Sequence, residues 1–316
     1  MIKYRLHSLA IATLFMVAGP WQYLAGQEVA QKIDRKSAAR SLQVESVEPA
    51  KEPVQTKTYQ FQSIDFPGAY ASQLFDYNGK SAVGFSDDGV TFDSAFFFKS
   101  HVYKAIKAPS TATESRAYGV NASGLIVGTY LDKAAAYHGF VFDGKNLLTF
   151  DYPGATNTVI NDINDSGNMA GDFYQGASSQ GFLYIKNRGT FTVLNYPSAK
   201  ATHACGVNTA DDVVGDFEDS AGTVHGFLWN NGGFSDVDYP GAILTLACGI
   251  NDSGLIAGYY LPVSGPGHGF LFDGKTYTTV DVPNGLETAL WKVKNNNNVV
   301  GSVLDSFGAY HGVIGR

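Results

Sequence analysis

Histidine and aspartate recur together in this chain, thirteen residues apart. The stretch HGFLFDGKTYTTVDVPN carries His268 and Asp281, and similar stretches begin at residues 138 and 225. Such a pair can act as a base and its orienting group in catalysis. However, a turn lies midway between the two residues each time, so they should face each other across a β-hairpin. A contact that recurs in this way indicates a structural pair, because a catalytic dyad is rarely needed several times in one chain.

Two further stretches extend the pattern. In one of them Gln180 and Asn195 replace the histidine and the aspartate, so two amide side chains take the place of the ionisable pair. His311, near the C terminus, should meet Asp65 from the other end of the repeat region. The first stretch has Ser94 in place of histidine and lacks the pair.

Other polar residues interrupt the repeat. Arg116 and His203 occupy a position that is Gln, Val, Leu or Ala in the other repeats. Three positions further on, Asp76, Asp162 and Lys292 replace a glycine of the other repeats. An arginine can bind a carboxylate through two hydrogen bonds, and a histidine can exchange a proton near neutral pH. The candidate ligand contacts are Arg116, His203, Asp162, Asp76, Lys292 and Trp291. The alternative is that these charges are solvated or pair with one another.

A hydroxyl residue precedes the Arg116 position in all six repeats. These residues are Ser72, Ser115, Thr158, Thr202, Thr245 and Thr288. They could form a ring around a channel mouth, but we expect them to bond to neighbouring backbone and fix the start of a strand. Cys205 and Cys248 hold equivalent positions in adjacent repeats, which predicts buried free thiols rather than a disulfide. The sequence has no nucleophile elbow, zinc motif or Walker loop, so no catalytic residue, metal or cofactor is predicted.

Three sequence markers share one period of 42 to 45 residues. The first is a proline that ends each unit: Pro67, Pro109, Pro153, Pro197, Pro240 and Pro283. The second is the glycine of an IVG-like triplet: Gly84, Gly128, Gly171, Gly215, Gly258 and Gly301. The third is the first position of the HGF element: Ser94, His138, Gln180, His225, His268 and His311. Three markers with the same count predict six units.

Each unit divides into four short strands separated by turns, without a helix. Four strands in about 43 residues are typical of a propeller blade. The last unit lacks a fourth strand, whereas YQFQSIDFPG stands before the first unit as a fourth strand alone. Pairing residues 59–66 with 311–315 would complete the sixth blade and remove free sheet edges. The sequence therefore predicts an all-β, six-bladed β-propeller of four-stranded antiparallel blades, closed by the N-terminal strand.

The repeat resembles the HAF-repeat family of probable extracellular repeat proteins. The resemblance covers roughly residues 62–313 and rests on the elements ACGIN, NDSGLIAG, HGF and DYPG. The family name refers to His-Ala-Phe, whereas this chain mostly reads His-Gly-Phe and has Ser94-Ala95-Phe96 in its first unit. The resemblance implies export and a repeat fold, and it supplies no catalytic residue.

The first 57 residues differ from the repeats. Lys3 and Arg5 precede the apolar run LAIATLFMVAG, and small residues follow, so we expect a signal peptide over 1–26. Residues 27–57 are rich in Lys, Glu, Ser and Ala and have no aromatic residue, which predicts a flexible linker before the propeller at 58–316. The run is too short for a transmembrane anchor. A secreted or periplasmic location is therefore expected.

The charge of the repeat region limits the choice of partner. Of the 22 Lys and Arg and the 29 Asp and Glu residues, eight and five lie before residue 58, so the repeats are strongly acidic. An acidic body disfavours binding to nucleic acid. We predict a monomeric binding module for a glycan, peptide or envelope partner, acting through the loop-rich face. The alternative is a secreted hydrolase or lyase that cleaves a polymer at the channel mouth.

Overall fold

The computed structural model describes residues 58–89, 93–176 and 178–316. The predicted signal peptide (1–26) and linker (27–57) lie outside these residues, and both stay predictions. The described residues form 24 strands in six four-stranded antiparallel sheets. Within these ranges there is no helix long and apolar enough to cross a membrane.

Five of the six blades are continuous in sequence. Blade 1 consists of β2 (Ala71–Tyr77), β3 (Ser81–Asp87), β4 (Ser94–Lys99) and β5 (Val102–Ala105). Blade 2 consists of β6 (Ala112–Val120), β7 (Ile126–Asp132), β8 (Tyr137–Phe142) and β9 (Leu147–Thr149). Blade 3 consists of β10 (Asn157–Ile163), β11 (Met169–Tyr174), β12 (Ser179–Ile185) and β13 (Thr190–Leu194). Blade 4 consists of β14 (Ala201–Val207), β15 (Val213–Glu218), β16 (Val224–Asn230) and β17 (Gly233–Asp236). Blade 5 consists of β18 (Ala242–Ile250), β19 (Ile256–Pro262), β20 (His268–Phe272) and β21 (Tyr277–Val280).

The sixth blade joins the two ends of the repeat region. It consists of β22 (Glu287–Val293), β23 (Val299–Leu304), β24 (Tyr310–Gly315) and β1 (Phe61–Ser63). In the antiparallel pairing of β1 with β24, Phe61 faces Gly315 and Ser63 faces Val313. The first strands of consecutive blades contact one another, and β2 also contacts β22, so the ring is closed. The predicted six-bladed propeller and its closure are confirmed.

A β-bulge explains the glycine of the IVG-like triplet. In each blade the first strand gains one residue relative to the second, and the shift begins at the residue opposite this glycine. A Cβ atom on Gly128 would lie 2.0 Å from the carbonyl oxygen of Arg116, and one on Gly215 would lie 1.8 Å from that of His203. No side chain fits at these distances, so the bulge requires glycine at this position.

The core lies between adjacent blades. The phenylalanine of the HGF element is completely buried in five blades, at Phe96, Phe140, Phe182, Phe227 and Phe270. Phe140 shares a cluster with Val83 and Ala95 of the preceding blade. Burying one such side chain contributes roughly 1.5–3 kcal/mol. The third sequence marker therefore fixes the packing of one blade on the next.

The predicted histidine–aspartate pairs are confirmed. Nδ1 of His225 lies 2.7 Å from Oδ2 of Asp238, and the corresponding pairs at His138, His268 and His311 measure 2.8, 2.9 and 3.1 Å. In the amide version, Nδ2 of Asn195 donates to Oε1 of Gln180 at 3.1 Å. Because these side chains join the last two strands of blades 2 to 6, they are contacts of the scaffold.

The hydroxyl residues also have the structural role expected of them. Thr158 Oγ1 accepts a hydrogen bond from the Tyr152 N–H at 2.9 Å, and Thr202 Oγ1 accepts one from the Tyr196 N–H at 2.9 Å. Ser72, Thr245 and Thr288 accept equivalent backbone bonds, and Ser115 accepts one from the N–H of Ala95. These bonds fix the point at which the chain enters each first strand.

Candidate functional site

The six first strands, β2, β6, β10, β14, β18 and β22, surround a central channel. They run in the same direction, so equivalent positions form layers across the channel. We call the end at which these strands finish the turn face, because the short turns between first and second strands lie there. The opposite end is the loop face, which carries the connections between blades and between second and third strands.

An ion pair closes the channel between these two ends. Nζ of Lys292 in blade 6 lies 2.6 Å from Oδ2 of Asp162 in blade 3, on the opposite side of the ring, and each side chain is only 7% exposed. The glycines at the same layer let the strands approach closely. A Cβ atom on Gly249 would lie 2.9 Å from the Cα atom of Lys292, and one on Gly119 would lie 3.1 Å from that of Asp162. The layer is thus narrow enough for one side chain to reach across it.

The third charged residue of this layer, Asp76, forms a second ion pair. Its Oδ1 lies 2.8 Å from Nζ of Lys294, and its Oδ2 accepts a hydrogen bond from the N–H of Val120 in the next blade. Burial opposes the ionisation of Asp76, but Lys294 and Lys292 together lower the pKa of this carboxyl. The Asp162 carboxylate likewise accepts the N–H of Val207 in the next blade. Both aspartates therefore bond to the next blade and also neutralise the charge of a lysine.

A ring of asparagines surrounds the turn face of the channel. Nδ2 of each asparagine donates to the carbonyl oxygen of the equivalent residue in the next blade, at 2.8 to 3.4 Å. The five members are Asn78, Asn121, Asn164, Asn208 and Asn251. The sixth position is Lys294, which bonds to Asp76 instead. Each asparagine Oδ1 also accepts N–H groups of its own turn, as Asn164 does from Asn168 at 2.9 Å.

A cavity of about 300 Å³ lies inside this ring, and we call it the cup. The Lys292–Asp162 ion pair forms its floor, and all six blades contribute to its wall. The exposed rim carries Asp165, Thr209, Asp252 and Asn295. The cup therefore offers amide, hydroxyl, carboxylate and ammonium groups in a blind recess that is open only to the turn face.

Arg116 lies near the loop face and is already neutralised by the protein. Its Nε donates to Oδ2 of Asp93 at 2.7 Å, and its guanidinium lies 3.0 Å from Oε1 of Glu114. The guanidinium carbon is 5.0 Å from the centre of the Phe85 ring, within cation–π range. Burial raises the pKa of both Asp93 and Glu114, even though the arginine lowers it. Arg116 thus links blade 2 to Asp93 of blade 1.

His203 links blades 3 and 4 in a similar way. Its Nδ1 lies 2.8 Å from Oδ2 of Asp216, and its Nε2 lies 2.7 Å from the hydroxyl of Ser179 in the preceding blade. Burial lowers the pKa of His203, but Asp216 outweighs burial and the pKa rises to about 9. The order Ser–His–Asp is that of a nucleophilic triad. However, Ser179 is 2% exposed and the imidazole is protonated at neutral pH, so it cannot accept the serine proton.

Trp291 lies between the two ends of the channel. It is 6% exposed, its Nε1 donates to Oγ of Ser302 at 3.1 Å, and its ring centre is 5.2 Å from that of Phe75. It occupies the bulged position of its strand, as the cysteines do in theirs. Cys205 and Cys248 are free thiols, as predicted, and burial raises the pKa of both.

The structure does not bring the six candidate residues together. Arg116 and His203 lie towards the loop face, whereas Asp76, Asp162 and Lys292 lie at the layer that closes the channel. Asp162 and Lys292 line the cup. Sequence reasoning missed the asparagine ring and the turn residues of the rim, although the asparagine of the repeated GIN element was visible. It also missed Ser179, whose position is not conserved between the repeats and carried no signal.

Metal and cofactor sites are not evident in the part of the chain that the structure describes. Within 58–89, 93–176 and 178–316, no cluster of three His, Cys, Asp or Glu side chains could hold a metal ion. The acidic groups of the channel instead bond to backbone N–H groups, lysines, Arg116 and His203.

Solved structures align with this chain at low sequence identity. AofleA from Arthrobotrys oligospora aligns with a TM-score of 0.51 and 13% identity, over 82% of this chain and 87% of that chain. TolB from Acinetobacter baumannii aligns with a TM-score of 0.53 and 10% identity, over 75% of this chain and 64% of TolB. The fucose-recognising, six-bladed lectin of Aleuria aurantia aligns with a TM-score of 0.47 and 12% identity, over 78% and 95%.

No family model matches the chain, and no curated protein matches it. The resemblance to HAF-repeat proteins therefore stays a prediction. What AofleA and TolB share with this chain is the propeller fold.

Proposed function

We propose that the protein is a non-catalytic binding module whose cup takes the end of a glycan chain. The observation that carries the proposal is the cup itself, a blind recess of about 300 Å³ lined by polar groups from every blade. This volume is at the lower end of the range of small-molecule sites and suits one or two sugar residues more than an extended peptide. The floor ion pair supports a binding site rather than a through-channel, because it blocks the passage.

The groups around the cup suit hydroxyl groups. Hydroxyls donate and accept hydrogen bonds, and the rim presents carboxylates at Asp165 and Asp252 and a hydroxyl at Thr209. The Asn295 amide lies beside them and donates to Asp252, whose remaining lone pairs can accept from a ligand. The charges near the floor are already paired, Lys292 with Asp162 and Lys294 with Asp76. An uncharged polyhydroxylated ligand therefore fits the cup better than an ion does.

The proposed site is at the other end of the molecule from the loop-rich face that the sequence favoured. Binding at the cup depends on the turns between first and second strands, which are short and similar in all blades. The apolar run after Lys3 and Arg5 supports export to the periplasm or beyond as part of the same proposal. No described contact favours the hydrolase or lyase alternative, since the one serine–histidine–aspartate arrangement has a buried serine.

A blocking substitution tests the proposal. Thr209→Trp places a large ring at the rim, while its backbone N–H can still bond to Asp252. The matched control is Ala221→Trp, at an exposed position of the same blade on the loop face. We expect saturable retention of the parent protein on at least one immobilised envelope or plant polysaccharide, with no new reducing ends. Retention should fall by at least about tenfold in Thr209→Trp and stay unchanged in Ala221→Trp.

Two outcomes would contradict the proposal. Equal retention of both tryptophan variants would exclude the cup as the binding site. Release of new reducing ends from the same polysaccharide would instead support the enzymatic alternative.

A further inference from the structure

The HGF histidines of blades 2, 4 and 6 face a second aspartate on the loop face. This aspartate lies six residues before the histidine, where the second strand meets the loop that follows it. We call these residues the loop aspartates, and the three pairs are Asp132 with His138, Asp219 with His225, and Asp305 with His311. The distances from Nε2 to Oδ2 are 3.5, 3.6 and 3.2 Å in that order. Each imidazole thus lies between two carboxylates, because its Nδ1 already contacts the aspartate of the outer hairpin.

The hairpin aspartate determines which nitrogen of the imidazole is free. In blade 4, Nδ1 of His225 lies 2.7 Å from Oδ2 of Asp238, whose Oδ1 accepts the N–H of Gly226 at 3.1 Å. The same two contacts occur in blades 2 and 6. An ionised carboxylate only accepts, so Nδ1 carries the proton and Nε2 of the neutral imidazole keeps its lone pair. A carboxylate in this position is the usual support of a histidine that binds a metal ion.

The loop aspartate is also held in a fixed orientation. Oδ1 of Asp219 accepts the N–H groups of Ala221 and Thr223, both at 2.8 Å, so Oδ2 is the atom that faces His225. In blades 2 and 6 the loop aspartate accepts the equivalent N–H groups of its own loop. Both potential ligand atoms are therefore positioned by the protein itself.

The spacing of these two atoms suits a metal ion better than a proton. A charge-assisted hydrogen bond between nitrogen and a carboxylate measures about 2.7–2.9 Å, which is shorter than the separation in any of the three pairs. Zn–N and Zn–O bonds of about 2.1 Å that meet at a tetrahedral angle hold their ligand atoms about 3.4 Å apart. A divalent ion also cancels the charge of the two carboxylates, whereas a single proton leaves each site negative. The six side chains are between 23% and 34% exposed, so an ion can enter with its waters.

Blade 5 provides a comparison within the molecule. His268 keeps its hairpin partner, with Nδ1 2.9 Å from Oδ2 of Asp281. However, Pro262 takes the position of the loop aspartate, six residues before the histidine. Blade 5 thus has the supported histidine without a second ligand. Blade 3 has Gln180 and blade 1 has Ser94 at the histidine position, so both lack the nitrogen ligand.

We propose that each of the three pairs binds a divalent transition-metal ion, represented by Zn²⁺, on the loop face of blades 2, 4 and 6. Nε2 of the histidine and Oδ2 of the loop aspartate are the two protein ligands. Imidazole favours Zn²⁺, whereas Mg²⁺ and Ca²⁺ prefer oxygen ligands. Two protein ligands are fewer than the four of a closed structural zinc site, so positions stay open for water or for a group of a partner molecule. These sites lie on the face opposite to the cup and do not depend on what the cup binds.

Calorimetric titration of the full chain with Zn²⁺ at pH 7.5 tests the proposal. The parent protein should bind three equivalents of Zn²⁺, and it should bind Mg²⁺ at least about a hundredfold more weakly. Combining Asp132→Asn, Asp219→Asn and Asp305→Asn should abolish the three sites. The asparagine Oδ1 can still accept the loop N–H groups, so this variant should unfold at the parent temperature when Zn²⁺ is absent. Unchanged Zn²⁺ binding in the folded triple variant would overturn the proposal.

The hairpin aspartate offers a second test. Asp238→Asn removes the charge behind His225 without touching either ligand atom. It should weaken Zn²⁺ binding by about 10–100-fold at blade 4 only, as expected for the support of a metal-binding histidine. Equal weakening at all three sites would contradict the assignment of one ion to each blade.

Histidine NMR distinguishes the proposed sites from binding to exposed histidines in general. Zn²⁺ should shift the Nε2 resonances of His138, His225 and His311 and leave that of His268 unchanged. Pro262→Asp with Pro266→Thr copies the loop of blade 4, because Thr223 supplies an N–H group that Pro266 lacks. This double variant should bind a fourth equivalent of Zn²⁺ and shift the resonance of His268. An equal response of His268 in the parent, or no fourth equivalent in the folded double variant, would overturn the two-ligand site.

Discussion

Blade 4 contains two histidine–aspartate pairs with nearly the same length and different environments. On the outer hairpin, His225 and Asp238 lie 2.7 Å apart with side chains 29% and 41% exposed. In the channel, His203 and Asp216 lie 2.8 Å apart with side chains 13% and 5% exposed. The outer pair recurs around the ring and tolerates replacement by Gln180 and Asn195. The channel pair occurs at this layer of blade 4 only, within the part of the chain that the structure describes.

We infer from this difference that exposure, more than residue type, sets how much a pair contributes to stability. Water and ions screen the outer charges, so each pair contributes little and is easily exchanged. In the channel the partners are desolvated, so that removing one leaves a buried charge or dipole unpaired. The following substitutions compare channel and outer contacts, beginning with the largest expected effect.

The ion pair that closes the channel should give the largest loss of stability. Lys292→Ala leaves Asp162 buried without its counterion, and we expect the free energy of unfolding to fall by about 3–5 kcal/mol. Urea unfolding at pH 7 measures this loss. In the double variant Lys292→Gln with Asp162→Asn, which has no buried charge, most of the stability should return. A loss below about 1 kcal/mol in Lys292→Ala would show that this ion pair contributes no more to stability than the outer histidine–aspartate pairs do.

His203 should make stability depend on pH. Its pKa in the folded protein, about 9, is higher than its ordinary value of 6.5, so the folded state binds the proton more tightly. The resulting stabilisation is fully present below about pH 6.5 and is lost as the pH rises through 9. Asp216, Asp172, Glu218 and the hydroxyl of Ser179 are the groups around it. We expect this stabilisation by protonated His203 to amount to about 2 kcal/mol.

The measurement is the urea midpoint from pH 6 to pH 10 in the parent protein and in His203→Gln. The parent should lose stability more steeply between pH 6.5 and 9.5 than the variant does. Burial also raises the pKa of Asp172, to about 7, and the charge of His203 opposes this rise, so the two proteins are compared above that pH. Parallel curves would contradict the assignment of the effect to His203.

An asparagine of the ring should have an intermediate effect. Asn164→Ala removes the acceptor for the turn N–H of Asn168 and the donors to Asn208 and Asp211. We expect a loss of about 1–2 kcal/mol in thermal or urea unfolding, because these groups are buried. Asn164→Asp keeps the acceptor but sets a carboxylate oxygen against Asp211 and the carbonyl oxygen of Asn208, so it should lose at least as much stability as the alanine variant. No change in either variant would show that the ring does not stabilise the blade contacts.

The outer pair should show the smallest effect. His225→Gln combined with Asp238→Asn copies the amide pair of blade 3, and it should change stability by only about 0.2–1 kcal/mol. Binding to a glycan should be unaffected, because the hairpin lies away from the cup. A loss of binding in a folded double variant would show that the outer histidines take part in function.

Local contacts of the fold were predictable from the sequence because turns fix their register. The facing of His138 and Asp151 follows from counting residues on both sides of a turn, and the structure has them 2.8 Å apart. The closure of the ring followed from an unmatched strand at each end of the repeat region. Gly128 was visible as part of a sequence marker. The β-bulge of the adjacent strand, which requires glycine at this position, was not predicted.

The candidate site was predicted less well. Departures from the repeat identified Asp162 and Lys292 as candidate residues. They did not predict that the two side chains meet, because these residues are 130 positions apart and belong to opposite blades. The same departures grouped Arg116 and His203 with them, although those two residues lie nearer the loop face.

The number of blades, the strands in each blade and the way the ring closes all follow from the amino-acid sequence, because the repeat period and the turn residues act over short stretches of chain. The tertiary structure alone decided which side chains meet across the channel, which are shielded from water and where a cup remains open. The physical reason is that these properties depend on the diameter of the ring and on the depth of each layer. Both are set by the packing of all six blades at once.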